Sequence, residues 1–287
     1  MTMRFAINMP NFGDFGYPHR LAELAQEAEE AGWDGFFVWD HVQFFVPGQR
    51  VAMADPWVSM AAIALATNTI SLGPIVTPIP RRRPWKLARE CVTLDHLSGG
   101  RLILGVGLGD PVATEFGAFG EETDPRRRAE MLDEGLEVLT GLWRGEPFTF
   151  EGHQYQVRDA LCWPPPLQSP RIPIWVAGIW PNRRPMRRGA RWDGVVPIKL
   201  GPEGFSRLTT DEVREIVAYV REHRESDTPL EMVISGLTPG DDPARASEIV
   251  APYVEAGATW WIEALPELLP PLEVVRTRIR QGPPHLP

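Results

Sequence analysis

The feature that most constrains the fold is the alternation of short apolar runs with amphipathic helices along the whole chain. Eight runs are apolar enough to be buried on both faces, as the strands of a parallel sheet are. They are Arg4–Met9, Gly35–Trp39, Ile70–Val76, Arg101–Val106, Ile172–Ala177, Gly194–Ile198, Glu231–Leu237 and Thr259–Ala264. Because strands and helices alternate, the sequence predicts helical crossovers between parallel strands. Eight such units in 287 residues predict one parallel (β/α)8 TIM barrel that spans residues 1–287.

Several helix starts can be recognised from their capping residues. An Asp-Pro pair begins three predicted helices, at Asp55, Asp124 and Asp242, where the carboxylate caps the helix and the proline takes its first position. Thr209 and Glu212 have the spacing of a capping box. These signals predict helices between the predicted strands, as the barrel requires.

Two connections are longer than those usual between strands and helices. The first runs from His41 to Ala54, and the second, Gly145–Pro170, contains a hairpin-like segment, Phe148–Val157, before the proline-rich Cys162–Pro170. We expect both to be insertions at the C-terminal face of the barrel that cover a site there.

Charge and composition narrow the class of ligand. The formal net charge of −9 disfavours nucleic acid and anionic membranes as partners, because both attract positive surfaces. The two cysteines have no redox or metal spacing, and the N-terminus begins directly with a strand pattern and has no cleavable apolar region. We expect a cytoplasmic protein that binds small molecules.

The residues that follow the strands at their C-terminal ends are the candidates for function, since this face carries the active site in barrels of this kind. Asp40 and His41 follow the second strand, and a histidine can exchange a proton near neutral pH. The alternative is that Asp40 caps the next segment and His41 packs in a loop. The other five histidines do not follow strands closely, so we expect no metal site.

Two further patterns have an ordinary structural explanation beside a functional one. The glycine-rich run Gly105–Gly109 could let a flat ligand or a phosphate approach the backbone, or it could form a tight turn at the barrel rim. The arginine clusters at Arg81–Arg83 and Arg183–Arg188 could bind an anion at a helix start, or they could be solvated helix surfaces.

Taken together, the motifs at the strand ends resemble the bacterial-luciferase-like family of flavin- and deazaflavin-dependent oxidoreductases. The resemblance rests on RFAINMPNFG, AEEAGWDGFFVWDHV, ISLGPIVTPIPRRRPWKLARECVTLDHLSGGRLILGVGLG and WVAGIWPNRRPMRRGARWDGVVP. It implies a barrel that binds FMN or the deazaflavin coenzyme F420 at its C-terminal mouth, and a homodimer. NAD(P)H as a co-substrate and the use of oxygen stay open.

The resemblance also implies a set of site residues. Ile75, Val76 and Thr77 would form a bulge beneath the cofactor ring, with a non-proline cis peptide bond near Ile75-Val76. Asp40 and Gly107 would line the ring or its chain. The segment that would hold the phosphate end of the cofactor consists of Ala177, Gly178, Ile179 and Trp180.

For catalysis, the resemblance implies a proton-transferring histidine, His41, and a carboxylate, Asp110. Phe45 would roof the cofactor, and together with Phe116 it suggests an apolar substrate pocket. The resulting hypothesis is an oxidoreductase that moves hydride between the cofactor and a small organic substrate. The alternatives are a flavin-binding barrel without catalysis and a hydrolase or lyase barrel without the cofactor.

Overall fold

The computed structural model describes residues 3–44, 48–202, 204–265 and 267–286. The strands in these residues are β1 (Arg4–Met9), β2 (Gly35–Val38), β3 (Ser71–Pro74), β4 (Thr77–Pro78), β5 (Leu104–Gly107), β6 (Phe148–Glu151), β7 (Gln156–Ala160), β8 (Ile174–Trp180), β9 (Gly194–Gly201), β10 (Gly204–Ser206), β11 (Glu231–Gly236) and β12 (Trp260–Glu263). The α-helices are α1 (Pro18–Glu30), α2 (Pro56–Ala66), α3 (Pro84–Ser98), α4 (Val112–Glu115), α5 (Pro125–Leu142), α6 (Arg183–Gly189), α7 (Thr210–Glu222), α8 (Pro243–Glu255) and α9 (Leu272–Arg280).

The main sheet is a parallel barrel with eight strand positions. Its order is β3-β2-β1-β12-β11-β9-β8-β5-β4, and β3 and β4 are two halves of one barrel strand. The ring closes where the backbone of Leu72 bonds to Arg101 O and to Ile103 N, at 3.1 and 2.8 Å. This architecture confirms the predicted TIM barrel.

The barrel interior is filled by one cluster of buried side chains. Its members are Ala6, Phe37, Ile103, Trp175, Val196, Val233, Trp260 and Ile262. Successive side chains of a strand point to opposite faces, so the residues two positions further along face inward, nearer the C-terminal mouth. On β1, β8, β9 and β11 these residues are Asn8, Ala177, Ile198 and Ser235. We call these four the mouth layer.

The helix caps expected from the sequence are present. Asp55 accepts a hydrogen bond from Val58 N at 2.9 Å, and Asp124 and Asp242 cap α5 and α8 in the same way. Thr209 and Glu212 form both hydrogen bonds of the capping box. Local sequence signals therefore place these helix starts correctly.

The prediction that the connection Gly145–Pro170 covers the site is wrong. Its hairpin, β6 and β7, packs on α5, where Glu134 accepts a hydrogen bond from His153 N at 2.8 Å. The proline-rich segment lies along α3, where Asp95 accepts a hydrogen bond from Leu167 N at 2.8 Å. The connection leads from a helix back to a strand, and such connections lie at the N-terminal end of a barrel, opposite the site.

None of the helices in the described ranges combines the length and the apolar character needed to cross a bilayer.

Candidate active site

A buried carboxylate organises the C-terminal end of β2. Asp40 is only 4% exposed and accepts hydrogen bonds from Thr77 Oγ1 at 2.7 Å and from Trp57 Nε1 at 3.3 Å. Two guanidinium groups neutralise it, Arg82 at 2.6 Å and Arg81 at 2.8 Å. A buried charge is tolerated when it is paired and hydrogen-bonded in this way. Asp40 therefore joins β2 to the helical turn after β4.

A second buried carboxylate, Glu115 at the end of α4, completes the cluster. It forms an ion pair with Arg81 and lies 3.3 Å from His41 Nδ1. It also accepts hydrogen bonds from the backbone N–H groups of Val42 and Gln43, at 3.1 and 3.2 Å. Glu115 thus holds both the His41 ring and the backbone beyond it. The sequence analysis missed this residue.

His41 is held in a defined orientation. A carboxylate can only accept, so in the neutral ring Nδ1–H donates to Glu115 and Nε2 carries the lone pair. Burial and then the positive charge of Arg81 lower the pKa of His41 below 6.5, against the opposing effects of Asp40 and Asp110. The side chain keeps 23% of its surface exposed. The residue is therefore a neutral base that a ligand can reach.

Asp110, the second predicted catalytic residue, lies in a different setting. It is exposed, and its negative charge partly offsets the burial that lowers the pKa values of His41 and Arg128. Arg128 donates to the carbonyl oxygens of Leu108 and Gly109, at 3.2 and 3.1 Å. The carboxylate that contacts His41 is thus Glu115, and a catalytic role for Asp110 stays a prediction.

The predicted bulge lies between the two halves of the third barrel strand. The peptide bond between Ile75 and Val76 is cis, as the resemblance implies. A Cβ atom on Gly105 would lie 2.3 Å from Pro74 O, and one on Gly107 would lie 2.9 Å from Val76 Cγ2. The glycine-rich run is therefore required by the close approach of β5 to this segment.

The segment predicted to hold the phosphate end, Ala177–Trp180, forms the C-terminal half of β8. Ile179 keeps 41% of its surface exposed, and a Cβ atom on Gly178 would lie 2.1 Å from Pro185 Cβ. Glycine at this position therefore lets α6 pack against the strand. Direct contact of these residues with a cofactor stays a prediction.

Most of the arginines considered as anion sites already have partners. Arg81 and Arg82 turn inward onto Asp40. Arg183 stacks over the ring of Trp180 at 4.4 Å and pairs with Glu215. In the first cluster, Arg81 and Arg82 are therefore neither free for an anion nor on a solvated surface, whereas Arg83 is exposed and anion binding there stays a prediction.

The two predicted pocket phenylalanines have different outcomes. Phe45 lies outside the described residues. Phe116 is fully buried, and the guanidinium carbon of Arg128 lies 4.8 Å from the centroid of the Phe116 ring. In this conformation Phe116 therefore packs beneath Arg128 and does not line an open pocket. Phe12 and Phe44 stack 3.9 Å apart beside His41. Aromatic surface therefore does lie next to the histidine.

The mouth layer combines apolar and polar side chains. Ala177 and Ile198 are partly exposed there, and Ile75 packs beside them on the interior cluster. In the same layer Asn8 Oδ1 is buried and has no hydrogen-bond partner among the described residues. A heteroaromatic ring with polar groups along one edge has the shape and chemistry that this lining accommodates.

Within the ranges that the structure describes, no three His, Cys, Asp or Glu side chains are grouped as metal ligands. Cys91 and Cys162 are both buried, and neither is in a disulfide.

Comparisons with other proteins identify the family and the fold. The family model described as luciferase-like monooxygenase matches residues 3–276. The chain is 32% identical over 241 residues to the F420-dependent glucose-6-phosphate dehydrogenase of Kineococcus radiotolerans, which covers 80% of this chain and 67% of that protein. The structure of an F420-dependent secondary alcohol dehydrogenase with an F420-acetone adduct matches at TM-score 0.75 and 18% identity, over 98% of this chain and 97% of that one. A monooxygenase from Streptomyces bottropensis matches at TM-score 0.73 and 20% identity, over 97% of each chain.

Proposed function

We propose, starting from the fact that this chain belongs to the luciferase-like monooxygenase family, that it is a dehydrogenase or reductase that uses coenzyme F420. It is an oxidoreductase of the flavin and deazaflavin type. The observation that carries the proposal is the His41 cluster. A neutral, accessible imidazole, oriented by the buried Glu115, lies at the C-terminal end of the barrel.

The residues of this chain divide the chemistry between them. A bound flavin or deazaflavin ring would supply the hydride acceptor. As the substrate C–H bond gives up its hydride, His41 Nε2 takes the proton of the alcohol oxygen and a C=O double bond remains. Glu115 keeps His41 in the tautomer that this transfer needs. The reverse reaction would return the proton from His41 to a carbonyl oxygen.

The choice of coenzyme F420 over FMN rests on the relatives. The F420-dependent dehydrogenase of Kineococcus radiotolerans aligns with 80% of this chain, whereas the matched monooxygenase structure is only 20% identical. Arg81 and Arg82 are engaged with Asp40, so an acidic cofactor tail would have to meet other groups, such as the exposed Arg184. We do not assign NAD(P)H a role in this reaction.

We further propose an uncharged substrate in place of a sugar phosphate. A phosphate ester needs arginine or lysine side chains that are free to pair with it. Arg81 and Arg82 are bound to Asp40, and Lys199 lies 2.8 Å from Glu212. The mouth layer contains no charged residue. These features support a small alcohol or carbonyl compound with apolar substituents.

The test is to titrate the purified protein with coenzyme F420 and separately with FMN, following the absorbance and fluorescence of each ring. We expect tight binding of F420, and then reduction of F420 by an uncharged secondary alcohol but not by glucose 6-phosphate. Tight binding of FMN alone would show that the cofactor is FMN and not coenzyme F420. Binding of neither would refute the oxidoreductase proposal. Oxidation of glucose 6-phosphate would refute the substrate class.

A second candidate, a barrel that binds the cofactor without catalysis, shares every feature of the binding site. The defined tautomer of His41 favours an enzyme, because cofactor binding alone does not need an oriented base. Turnover with any substrate of the proposed class would exclude the second candidate.

We also propose a homodimer and a cytoplasmic location. Support for the dimer comes from α2, in which every residue except Ser59 is apolar. Val58 and Leu65 on its outer surface are 63% and 72% exposed. Leu65→Glu should convert a dimer to a monomer in size-exclusion chromatography with light scattering. Leu161→Glu, at a 56% exposed leucine elsewhere, should not, and a monomeric wild-type protein would refute the dimer.

A further inference from the structure

Two asparagines close to each other in sequence differ in how their side chains are used. Asn11, fully buried, donates to the carbonyl oxygens of His41 and Ala54, each at 2.8 Å, and its own oxygen accepts from His41 N at 3.4 Å. Asn8 is half-buried, and its Oδ1 atom is buried without a partner among the described residues. Asn11 therefore holds the loop after β2, whereas Asn8 has no comparable structural task.

The position of Asn8 indicates what its amide meets. Asn8 follows Ala6 on the inward face of β1, and it is in register with the inward-facing Phe37 of β2. It lies directly above the closed interior cluster, at the bottom of the mouth. A buried acceptor that lacks a donor is unfavourable in a folded protein, so such a group calls for a partner outside the chain, such as a water molecule, an ion or a ligand.

We propose that Asn8 binds the imide edge of the cofactor ring. In this arrangement Asn8 Oδ1 accepts a hydrogen bond from the ring imide N–H, and the Asn8 side-chain N–H donates to the adjacent ring carbonyl. An asparagine amide presents a donor and an acceptor side by side, which matches that edge. The inference rests on the proposed function, but not on the choice of cofactor, since FMN and coenzyme F420 share this edge.

The surroundings favour the ring over the substrate as the partner of Asn8. Of the side chains at this depth, Ala177 and Ile198, together with Ile75 on the same interior cluster, are apolar and suit the faces of a flat ring, whereas Ser235 is polar. The reacting hydroxyl of an alcohol has one hydrogen, and the mechanism directs it to His41 Nε2. That hydrogen cannot also satisfy Asn8 Oδ1, whereas the imide N–H of the ring is free to do so.

The first test compares the affinity of the ring for the wild-type protein and for Asn8→Leu, which keeps similar volume and removes the amide. We expect the dissociation constant, from ring fluorescence, to rise about fivefold to thirtyfold, as the loss of one or two neutral hydrogen bonds predicts. Asn68→Ala, at an exposed asparagine near the N-terminal end of the barrel, should leave it unchanged. Unchanged affinity in Asn8→Leu, or a loss of substrate affinity alone, would overturn the proposal.

The second test does not depend on the folding of a variant. A flavin methylated at the imide nitrogen has lost the N–H donor, so the wild-type protein should bind it more weakly than the parent ring by a similar factor. Asn8→Ala should bind the two rings about equally. A wild-type protein that fails to discriminate between the rings would overturn the role of Asn8 and leave the oxidoreductase proposal intact. Absence of binding to both cofactors would refute both.

Discussion

The two ends of the barrel use their charged side chains differently. At the N-terminal end, two charged side chains, Glu29 and Arg101, bond mainly to backbone groups. Glu29 accepts hydrogen bonds from the N–H groups of Asn68, Thr69 and Ile70. Arg101 donates to carbonyl oxygens of the loops around it, namely those of Ala64, Thr67, Ile70 and Ser98. These side chains complete turns between helices and strands, so their contribution is to the fold.

At the C-terminal end, the charged side chains bond mainly to one another. Asp40 and Glu115 share Arg81, and Glu115 orients His41. Two polar atoms here have no hydrogen-bond partner among the described residues, His41 Nε2 and Asn8 Oδ1. The charged side chains at the N-terminal end thus stabilise the fold, whereas those at the C-terminal end keep the His41 ring neutral, oriented and accessible to a ligand.

The largest expected effect is that of removing the base. His41→Ala should lower turnover by about 10²- to 10⁴-fold, the usual contribution of a general acid–base group, and leave the affinity for the cofactor unchanged. Steady-state kinetics and a ring titration measure the two quantities. His19→Ala, at an exposed histidine on α1, is the control. Equal losses of turnover and cofactor affinity would show that His41 is a binding residue instead.

A smaller effect is expected from the group that orients the base. Glu115→Gln keeps the shape of the side chain but removes the carboxylate that fixes the His41 tautomer, so kcat/KM should fall about 10- to 100-fold, as for other orienting partners. The exposed Glu121 in the same loop offers a matched control, Glu121→Gln. If a folded Glu115→Gln protein retained full kcat/KM, the positioning role would be wrong.

The pH dependence of the reaction should report the environment of His41. Because burial and Arg81 lower its pKa, the ring stays neutral to lower pH, and kcat/KM should rise with an apparent pKa below 6.5. The negative charge of Asp110 raises that pKa, so Asp110→Asn should move the rise to still lower pH. If Asp110→Asn instead abolishes turnover at every pH, Asp110 is itself the catalytic acid that the sequence predicts.

The smallest effect concerns the N-terminal end. Burial tends to raise the pKa of Glu29, but the N–H groups of Thr69, Ile70 and Asn68 outweigh it and lower the pKa from 4.5 to about 2. Glu29 therefore stabilises the fold fully above pH 4.5, and this contribution disappears as the pH falls towards 2.

Glu29→Gln tests this assignment. Since Glu29 is partly exposed and partly screened by solvent, the variant should lose about 1 kcal/mol of unfolding free energy at pH 7, measured by urea denaturation. The difference from wild type should vanish near pH 2, and turnover should not change. If Glu29→Gln lost turnover but kept its full unfolding free energy, the assignment of stability to the N-terminal end and of activity to the C-terminal end would be wrong.

The sequence by itself determined the barrel and the family. Eight strands were recognisable because each is apolar on both faces, and β1 was predicted with its observed bounds, Arg4–Met9. Helix starts such as those at Asp55 and Thr209 were recognisable because a cap and the backbone N–H that it binds lie within three residues. The cis bond at Ile75-Val76 followed from the resemblance and is present.

Only the tertiary structure decided which side chains meet at the site. The resemblance pointed to Asp110 as the catalytic carboxylate, yet the loop beyond it turns Glu115 back onto His41. Arg81, expected as an anion site, is bound inside the protein by carboxylates that precede and follow it by more than 30 residues. Periodicity and caps depend on neighbours along the chain, whereas the pairing of buried charges depends on loops that come together only when the barrel closes.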